Sequence, residues 1–269
     1  MKYKMISMDF DGTLLTSNKK VSDKNKETIL KHKKNNYIIV GITARNLSSV
    51  KNVCDINMFN YLILNNGAFI LDVKNNKISI ISEIDKNTAI EITNYFENDA
   101  YEIDYCSLYK YYIYLNEQID NRKFLKKIKN IDDIEEKIVR MNIFLKENKN
   151  NKKYIKYIMN NFTDIEVIEM SDTDNNKNLK WIVLNSKGTN KLETLKKLCL
   201  KLDIDINEVI FFGDGGNDLS IISNVGLGIA MGNALEEVKS QAKEITLSND
   251  EDGIAYFLEK RLHKTDIMW

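Results

Sequence analysis

The sequence predicts an α/β protein, a parallel-sheet core interrupted by a smaller α+β insertion. Three observations predict it. Apolar runs that end in acidic or glycine-rich turns alternate with helical segments at both ends of the chain. In the middle, strand-like runs follow one another without an intervening helix, the grammar of an antiparallel sheet. The 269 residues suffice for a large core plus an added domain.

Tyr3 to Asp9 is apolar, β-prone and stops at an acidic turn. Ser22 is the natural N-cap of a helix running to about His32. Tyr37 to Thr43 is a continuous apolar run of the kind a buried parallel strand shows. A short helix at Leu47 to Cys54 leads to a strand at Tyr61 to Leu64. Ala68 to Asp72 and Lys77 to Ile81 then flank Asn75-Asn76 as a hairpin.

The middle, residues 83–185, reads as helix (Thr88 to Phe96), two strands, helix (Arg122 to Ile131), strand (Lys137 to Leu145), helix (Tyr154 to Phe162) and two strands. It forms the inserted domain, and residues 1–82 with 186–269 form the core. The core grammar resumes with a helix at Thr189 to Leu202 and a strand at Val209 to Phe212. A helix from Asn217, a strand at Gly226 to Ala230, and helices at Leu235 to Ala242 and Gly253 to Leu262 complete it.

Lys+Arg and Asp+Glu are each 39, so the formal charge is zero. That balance disfavours a nucleic-acid partner, which needs a net basic face. Lysine runs such as Lys31 to Lys34 and Lys149 to Lys153 read as solvated helix ends and loops. Cys54, Cys106 and Cys199 are far apart, form no CxxC pair, and read as small buried thiols. Asp9 and Asp11 break the N-terminal apolar stretch before it forms a signal segment. No apolar run approaches the ~18 residues of a membrane span. The expected setting is cytoplasmic, with no membrane partner.

Four clusters follow core strands, at the edge where open α/β sheets bind ligands. The first is Asp9-Phe10-Asp11-Gly12-Thr13. Residues i and i+2 leaving a strand project to one side, so two carboxylates are expected to share a pocket. Their pKa values would then move apart, leaving one ionised as a nucleophile and one able to hold a proton as a general acid. Thr43-Ala44-Arg45 offers a hydroxyl and backbone amides for phosphoryl oxygens, though a threonine there serves equally as a helix cap. Lys191 opens a helix, and on so lysine-rich a chain its default place is in solvent. Gly213-Asp214-Gly215-Gly216-Asn217-Asp218 gathers oxygen ligands suited to a hard cation, or else is a glycine-rich turn with an Asn/Asp cap.

In this order, the clusters resemble the four signature motifs of the haloacid dehalogenase-like hydrolase superfamily. Asn66-Gly67-Ala68, the run Gly228 to Ala234, Asn249 and Asp252-Gly253 resemble its Cof-type, class IIB phosphatases. The resemblance implies a Rossmann-like core with a type C2B cap inserted between Thr43 and Lys191. Ala44 and Leu192 stand where the family often has glycine.

By this resemblance Asp9 attacks phosphorus, and Asp11 protonates the leaving oxygen and later activates water. Asp9, the main-chain carbonyl of Asp11 and Asp214 bind Mg²⁺. Thr43, Ala44, Arg45, Lys191 and Asn217 hold the substrate phosphate, and Asp218 and Asn66 support them from behind. The implied substrate is a small phosphate monoester, a sugar phosphate or phosphorylated cofactor. The cap would read its leaving group, with Tyr109, Tyr111, Arg140 and Asn142 as candidates. A phosphotransferase resembling the phosphohexomutases is an alternative. So is a non-catalytic phosphometabolite-binding protein, which would need no nucleophile. P-loop, zinc-protease and Ser-His-Asp chemistries lack their residues, and His32 and His263 fall on expected helices.

Overall fold

The computed structural model describes residues 2–115, 124–146, 151–172 and 179–261. The chain divides into two compact units. One comprises Met1–Arg45, Val50–Ser79 and the chain from Asn190 onward; the other comprises Asn46–Ser49 and Ile80–Thr189.

In the first unit, β1 (Met5–Met8), β2 (Ile38–Ile42), β3 (Tyr61–Leu64), β4 (Phe69–Asp72) and β5 (Lys77–Ile80) come before the second unit's strands. Those are β6 (Ala100–Cys106), β7 (Tyr111–Tyr114), β8 (Leu125–Lys127), β9 (Arg140–Leu145), β10 (Ile165–Asp172) and β11 (Leu179–Ser186). The first unit resumes with β12 (Val209–Gly213), β13 (Leu227–Ala230) and β14 (Glu244–Ile245).

The core sheet has the order β14-β13-β12-β1-β2-β3-β4-β5, parallel from β14 through β3 and antiparallel at β3–β4. Met5, Ile6, Met8, Ile39, Val40, Ile42 and Val209 through Phe212 are all buried. Helices on both faces of a parallel sheet account for these unbroken apolar runs. Ser22 caps the helix Asp23–Lys34 by accepting from the Asn25 amide at 3.1 Å. The chain runs outward from β1 to β3 on one side and returns to β12 on the other, so strand order reverses between β1 and β12. Ligands bind at such a reversal, off the carboxyl ends of the strands.

The second unit is a six-stranded sheet in the order β10-β11-β9-β6-β7-β8. Its pairs are antiparallel except β7–β8. Helices Lys86–Phe96 and Asn151–Asn161 bury Ala89, Ile92, Phe96, Tyr154 and Ile158 in one cluster with Ile103, Tyr105, Met141, Ile143, Ile182 and Leu184. Strand alternation places Arg140 and Asn142 on the opposite face, where both donate to Cys106 Sγ, at 3.4 and 3.7 Å.

One expected element is corrected. The segment Arg122 to Ile131 contains the edge strand β8 rather than a helix, with residues 122–123 outside the described chain. Tyr111 N donates to Phe124 O and Ile128 N to Ile113 O, so the edge of β7 takes up the backbone groups a helix would have paired internally. The last helix is also shorter than expected. Gly253–Tyr256 gives way to a wider π-type turn at Phe257–Arg261, and Leu262 and His263 lie outside the described residues. His32 is buried with its ring bonded to the Thr28 carbonyl at 2.9 Å. Cys106 and Cys199 are buried and Cys54 is half-buried; burial pushes the Cys54 thiol up to about 12 and Cys199 up to about 11. Among the described residues no helix is long and apolar enough to cross a membrane.

Candidate active site

Four adjacent parallel strands, β12, β1, β2 and β3, end immediately before Asp214, Asp9, Thr43 and Asn65. The sheet thus brings together motifs far apart in sequence. Asp9 is 7% exposed. Asn190 caps the helix Lys191–Lys201 by accepting from the Glu193 amide at 2.9 Å, which fixes where its first residue points. Lys191 is buried, not solvated, and its Nζ donates to Asp9 Oδ1 at 2.5 Å and Asp218 Oδ1 at 2.8 Å. The other Asp218 oxygen accepts from the amides of Asp214 and Gly215, so Asp218 ties Lys191 to the glycine turn. Thr13 Oγ1 donates to Asp214 Oδ1 at 2.7 Å.

One oxygen from each of Asp9, Asp214 and Asp218 lies within 4.8 Å of the others. Three carboxylates therefore face one ammonium. Burial raises the Asp9 carboxyl to about 7, with Asp218 and Asp214 adding to the rise and Lys191 opposing it. Asp214 is also raised, mainly by burial and further by the charge of Asp218. Burial disfavours the Lys191 ammonium, yet its two carboxylate partners outweigh that and raise its pKa. This all-oxygen, electron-rich donor set fits a hard divalent cation. Both Asp218 oxygens accept hydrogen bonds, whereas Asp9 and Asp214 each accept on Oδ1. Gly12, at φ +77°, keeps the space beside them open, because a Cβ there would strike the Asp214 carboxylate.

Asp11 departs from the expected shared pocket. Its carboxylate turns to Arg45, accepting from Nε on Oδ2 and from Nη2 on Oδ1, both at 2.7 Å, while Lys19 Nζ reaches Oδ1 at 2.9 Å. Burial pushes its carboxyl up, but the hydrogen bonds and charges of Arg45 and Lys19 prevail and hold it at about 2. The two pKa values do part, with Asp9 rather than Asp11 as the group nearest neutrality. The physical reason is that Arg45 reaches back from the Thr43 turn and pairs with Asp11, while Asp9 is buried beside Asp214 and Asp218. Arg45, expected on the substrate phosphate, grips a carboxylate here. The Asp11 side chain accordingly stands outside the metal-type cluster.

The Thr43 turn is built from neighbouring backbone. Thr43 is buried, and its Oγ1 accepts from the Arg45 amide at 3.1 Å. The amides of Asn65 and Asn66 donate to the carbonyls of Arg45 and Thr43, each at 3.0 Å. Residues 65–67 all have positive φ, 51°, 56° and 107°, which suits Asn-Asn-Gly. Thr194 Oγ1 donates to the Gly67 carbonyl at 2.8 Å, so this left-handed run joins the Thr43 turn to the Lys191 helix. Ala44 is half-buried and Asn217 is exposed on the turn Gly216–Asp218.

Sequence reasoning singled out Asn233, Asn249 and Asp252 only through the resemblance and gave them no role; they form a clamp on the loop after Asp9. Asn233 Nδ2 donates to Gly12 O at 2.8 Å, its Oδ1 accepts from the Asn249 amide at 3.0 Å, and Asn249 Nδ2 donates to Leu15 O at 2.8 Å. Asp250 accepts from the amide and hydroxyl of Ser17, and Asp252 from the Ser22 hydroxyl. The available signal was the gathering of Asn and Asp after the last core strands.

Fold and site together place a buried aspartate-lysine-aspartate cluster at the switch point of a parallel sheet. The family model described as haloacid dehalogenase-like hydrolase matches residues 6–258, and the chain belongs to that family. The resemblance read from the sequence is borne out. A Haemophilus influenzae protein is 30% identical over 97% of this chain and 99% of its own length. The Bacillus subtilis protein named 5-amino-6-(5-phospho-D-ribitylamino)uracil phosphatase YcsE is 29% identical over 94% of this chain and 93% of its own. Among solved structures, a haloacid dehalogenase-like hydrolase from Bacteroides thetaiotaomicron has a TM-score of 0.79 at 25% identity, covering 96% of this chain and 99% of that one.

Proposed function

We propose that the chain is a Mg²⁺-dependent phosphatase that hydrolyses a phosphomonoester of a small metabolite, a sugar phosphate or phosphorylated cofactor, through an aspartyl-phosphate on Asp9. The observation that carries this reading is the buried Lys191 bonded to both Asp9 and Asp218 beside Asp214. A binding module needs no buried carboxylate at a strand end; a nucleophile does. The names of relatives support phosphate-ester substrates.

In the first step an Asp9 oxygen bonds to phosphorus as the P–O bond to the leaving alcohol breaks, and the leaving oxygen takes a proton from Asp11. Water then attacks the phosphorus of the aspartyl-phosphate and gives a proton to Asp11. Inorganic phosphate leaves and Asp9 is regenerated. Asp11, whose carboxyl Arg45 holds low, is in the form that accepts this second proton. Lys191 and the Thr43 turn hold the transferring oxygens. Mg²⁺, held by Asp9, Asp214 and the Asp11 carbonyl, would neutralise charge that Lys191 alone cannot balance. We assign residues 83–185 the role of a cap that reads the leaving group. The test is phosphate release from a panel of phosphomonoesters. Asp9→Asn keeps the shape of the side chain but is a far poorer nucleophile, so turnover should fall below about a thousandth. Retention of a tenth of the wild-type rate, with contaminants excluded, sinks the assignment.

A further inference from the structure

We propose that Lys19 selects phosphate esters whose leaving group carries an anionic substituent, a carboxylate or second phosphate, close to the ester oxygen. The inference rests on the phosphatase reading above and deepens it to a substrate class.

It starts from charge around Asp11. The Arg45 guanidinium already binds both oxygens of that carboxylate in a fork, the arrangement that satisfies a carboxylate most fully. Lys19 adds a further donor to Oδ1, at 2.9 Å, with its side chain 59% exposed. Two cations thus meet one carboxylate, leaving an excess positive charge at the exposed side of Asp11. The buried side, at Asp9, Asp214 and Asp218 with Lys191, has the opposite imbalance. A lysine ammonium has three N–H donors, and Asp11 takes one of those from Lys19.

Lys19 is also placed rather than loosely tethered. It occupies a turn at φ 57°, closed by Lys19 N to Thr16 O at 2.8 Å and Thr16 N to Lys20 O at 2.9 Å. Asp250 pins the same turn through Ser17, accepting from its amide and hydroxyl. A left-handed backbone at a lysine carries a steric cost, which makes the placement specific. In the proposed reaction the transferring phosphoryl group lies at Asp9 and the leaving oxygen departs beside Asp11. An anionic group next to that oxygen meets the spare Lys19 donors; a neutral group leaves them to water. The preference comes from a gain with the right substrate, since the exposed ammonium loses nothing when unused.

Matched esters test it: phosphoglycolate against ethyl phosphate, and 2-phosphoglycerate against glycerol 2-phosphate, comparing kcat/KM for the wild type, Lys19→Met and Lys19→Arg in saturating Mg²⁺. An ion pair at a largely exposed lysine should make the Lys19→Met loss about fivefold greater for the carboxylate-bearing member of each pair. Lys19→Arg, which keeps the charge, should retain most of the preference. Thermal unfolding checks that each variant is folded. If Lys19→Met lowers both members of each pair equally, or lowers neither, Lys19 does not select the leaving group, while the phosphatase reading survives. Absence of Asp9-dependent hydrolysis of all four esters and of a broad phosphomonoester panel defeats the phosphatase reading, and the Lys19 proposal falls with it.

Discussion

Lys191 is the cation that lets three carboxylates share a buried site, so replacing it with methionine is the sharpest perturbation of that site. Methionine approximates the length of the lysine stem and removes the charge. Asp9, Asp214 and Asp218 then face one another unpaired, with oxygens within 4.8 Å. At an effective dielectric near 20, each such pair repels by about 3.5 kcal/mol. Protonation and water entry relieve part of this, and loss of one partner from a buried ion pair costs about 3–5 kcal/mol. For a chain of this size that corresponds to a fall in Tm of roughly 10 °C without metal.

The effect should depend on pH. Asp9 already has its carboxyl raised to about 7, above its unfolded value of 3.8. Between those two values the native state binds more protons than the unfolded chain, so stability falls as pH rises through the window. Removing Lys191 takes away the cation that opposes that rise and moves the folded value higher still. The Lys191→Met penalty should therefore be small at pH 5.5, where Asp9 can carry a proton, and largest at pH 8. Thermal unfolding in EDTA at both values measures it, and phosphate release should fall about 10²- to 10³-fold, as when a preorganised charge donor is lost. Equal Tm for variant and wild type at pH 8, or an equal penalty at both pH values, refutes the reasoning.

Mg²⁺ should raise Tm more at pH 8 than at pH 5.5, because its carboxylate ligands must be ionised, and turnover should vanish in EDTA; activity in excess EDTA counts against the metal. Ca²⁺, which takes more ligands at longer distances, should bind but support little turnover in the phosphate-release assay. Arg45→Met removes the fork that lowers the Asp11 carboxyl, so the basic limb of the kcat/KM profile, set by the acid that protonates the leaving oxygen, should move to higher pH, and an unmoved limb contradicts the pairing. Asn249→Ala leaves the buried Leu15 carbonyl without its donor and should lower stability by about 1–3 kcal/mol, read by denaturant unfolding.

The core was legible because its signals are local. Continuous apolar runs ending in Asp9, Thr43 and Asp214 dictate parallel strands with polar groups at their ends, and the sheet then gathers those groups regardless of sequence distance. Ser22 announced its helix in the same way. The Arg122 to Ile131 segment was misread because Leu125 and Ile128 mimic helical spacing, while the decision lay with an unpaired edge of β7 that no local window contains. Lys191 was ambiguous for a related reason. A buried and a solvated lysine have the same neighbours in sequence, and only the cap at Asn190 together with Asp9 and Asp218 distinguishes them.

Asp11 shows where strand geometry alone falls short. The i, i+2 rule correctly places Asp9 and Asp11 near the same strand end, but it does not include the partner that each carboxylate finds. Asp9 finds Lys191 inside the protein, where burial leaves its carboxyl high; Asp11 finds Arg45 and Lys19 at the surface, where two cations hold it low. In the proposed cycle Asp11 must nonetheless deliver a proton to the leaving oxygen before it accepts one from water. Its acid step therefore requires that the grip of Arg45 and Lys19 weaken once a phosphate ester is bound, since an ionised carboxylate has no proton to give. In that cycle a phosphoryl group held at the Thr43 turn would bring new negative charge within reach of Arg45. Competition between that charge and the Asp11 carboxylate for one guanidinium couples substrate binding to the protonation of Asp11. The same arginine then favours the ionised Asp11 again as phosphate departs.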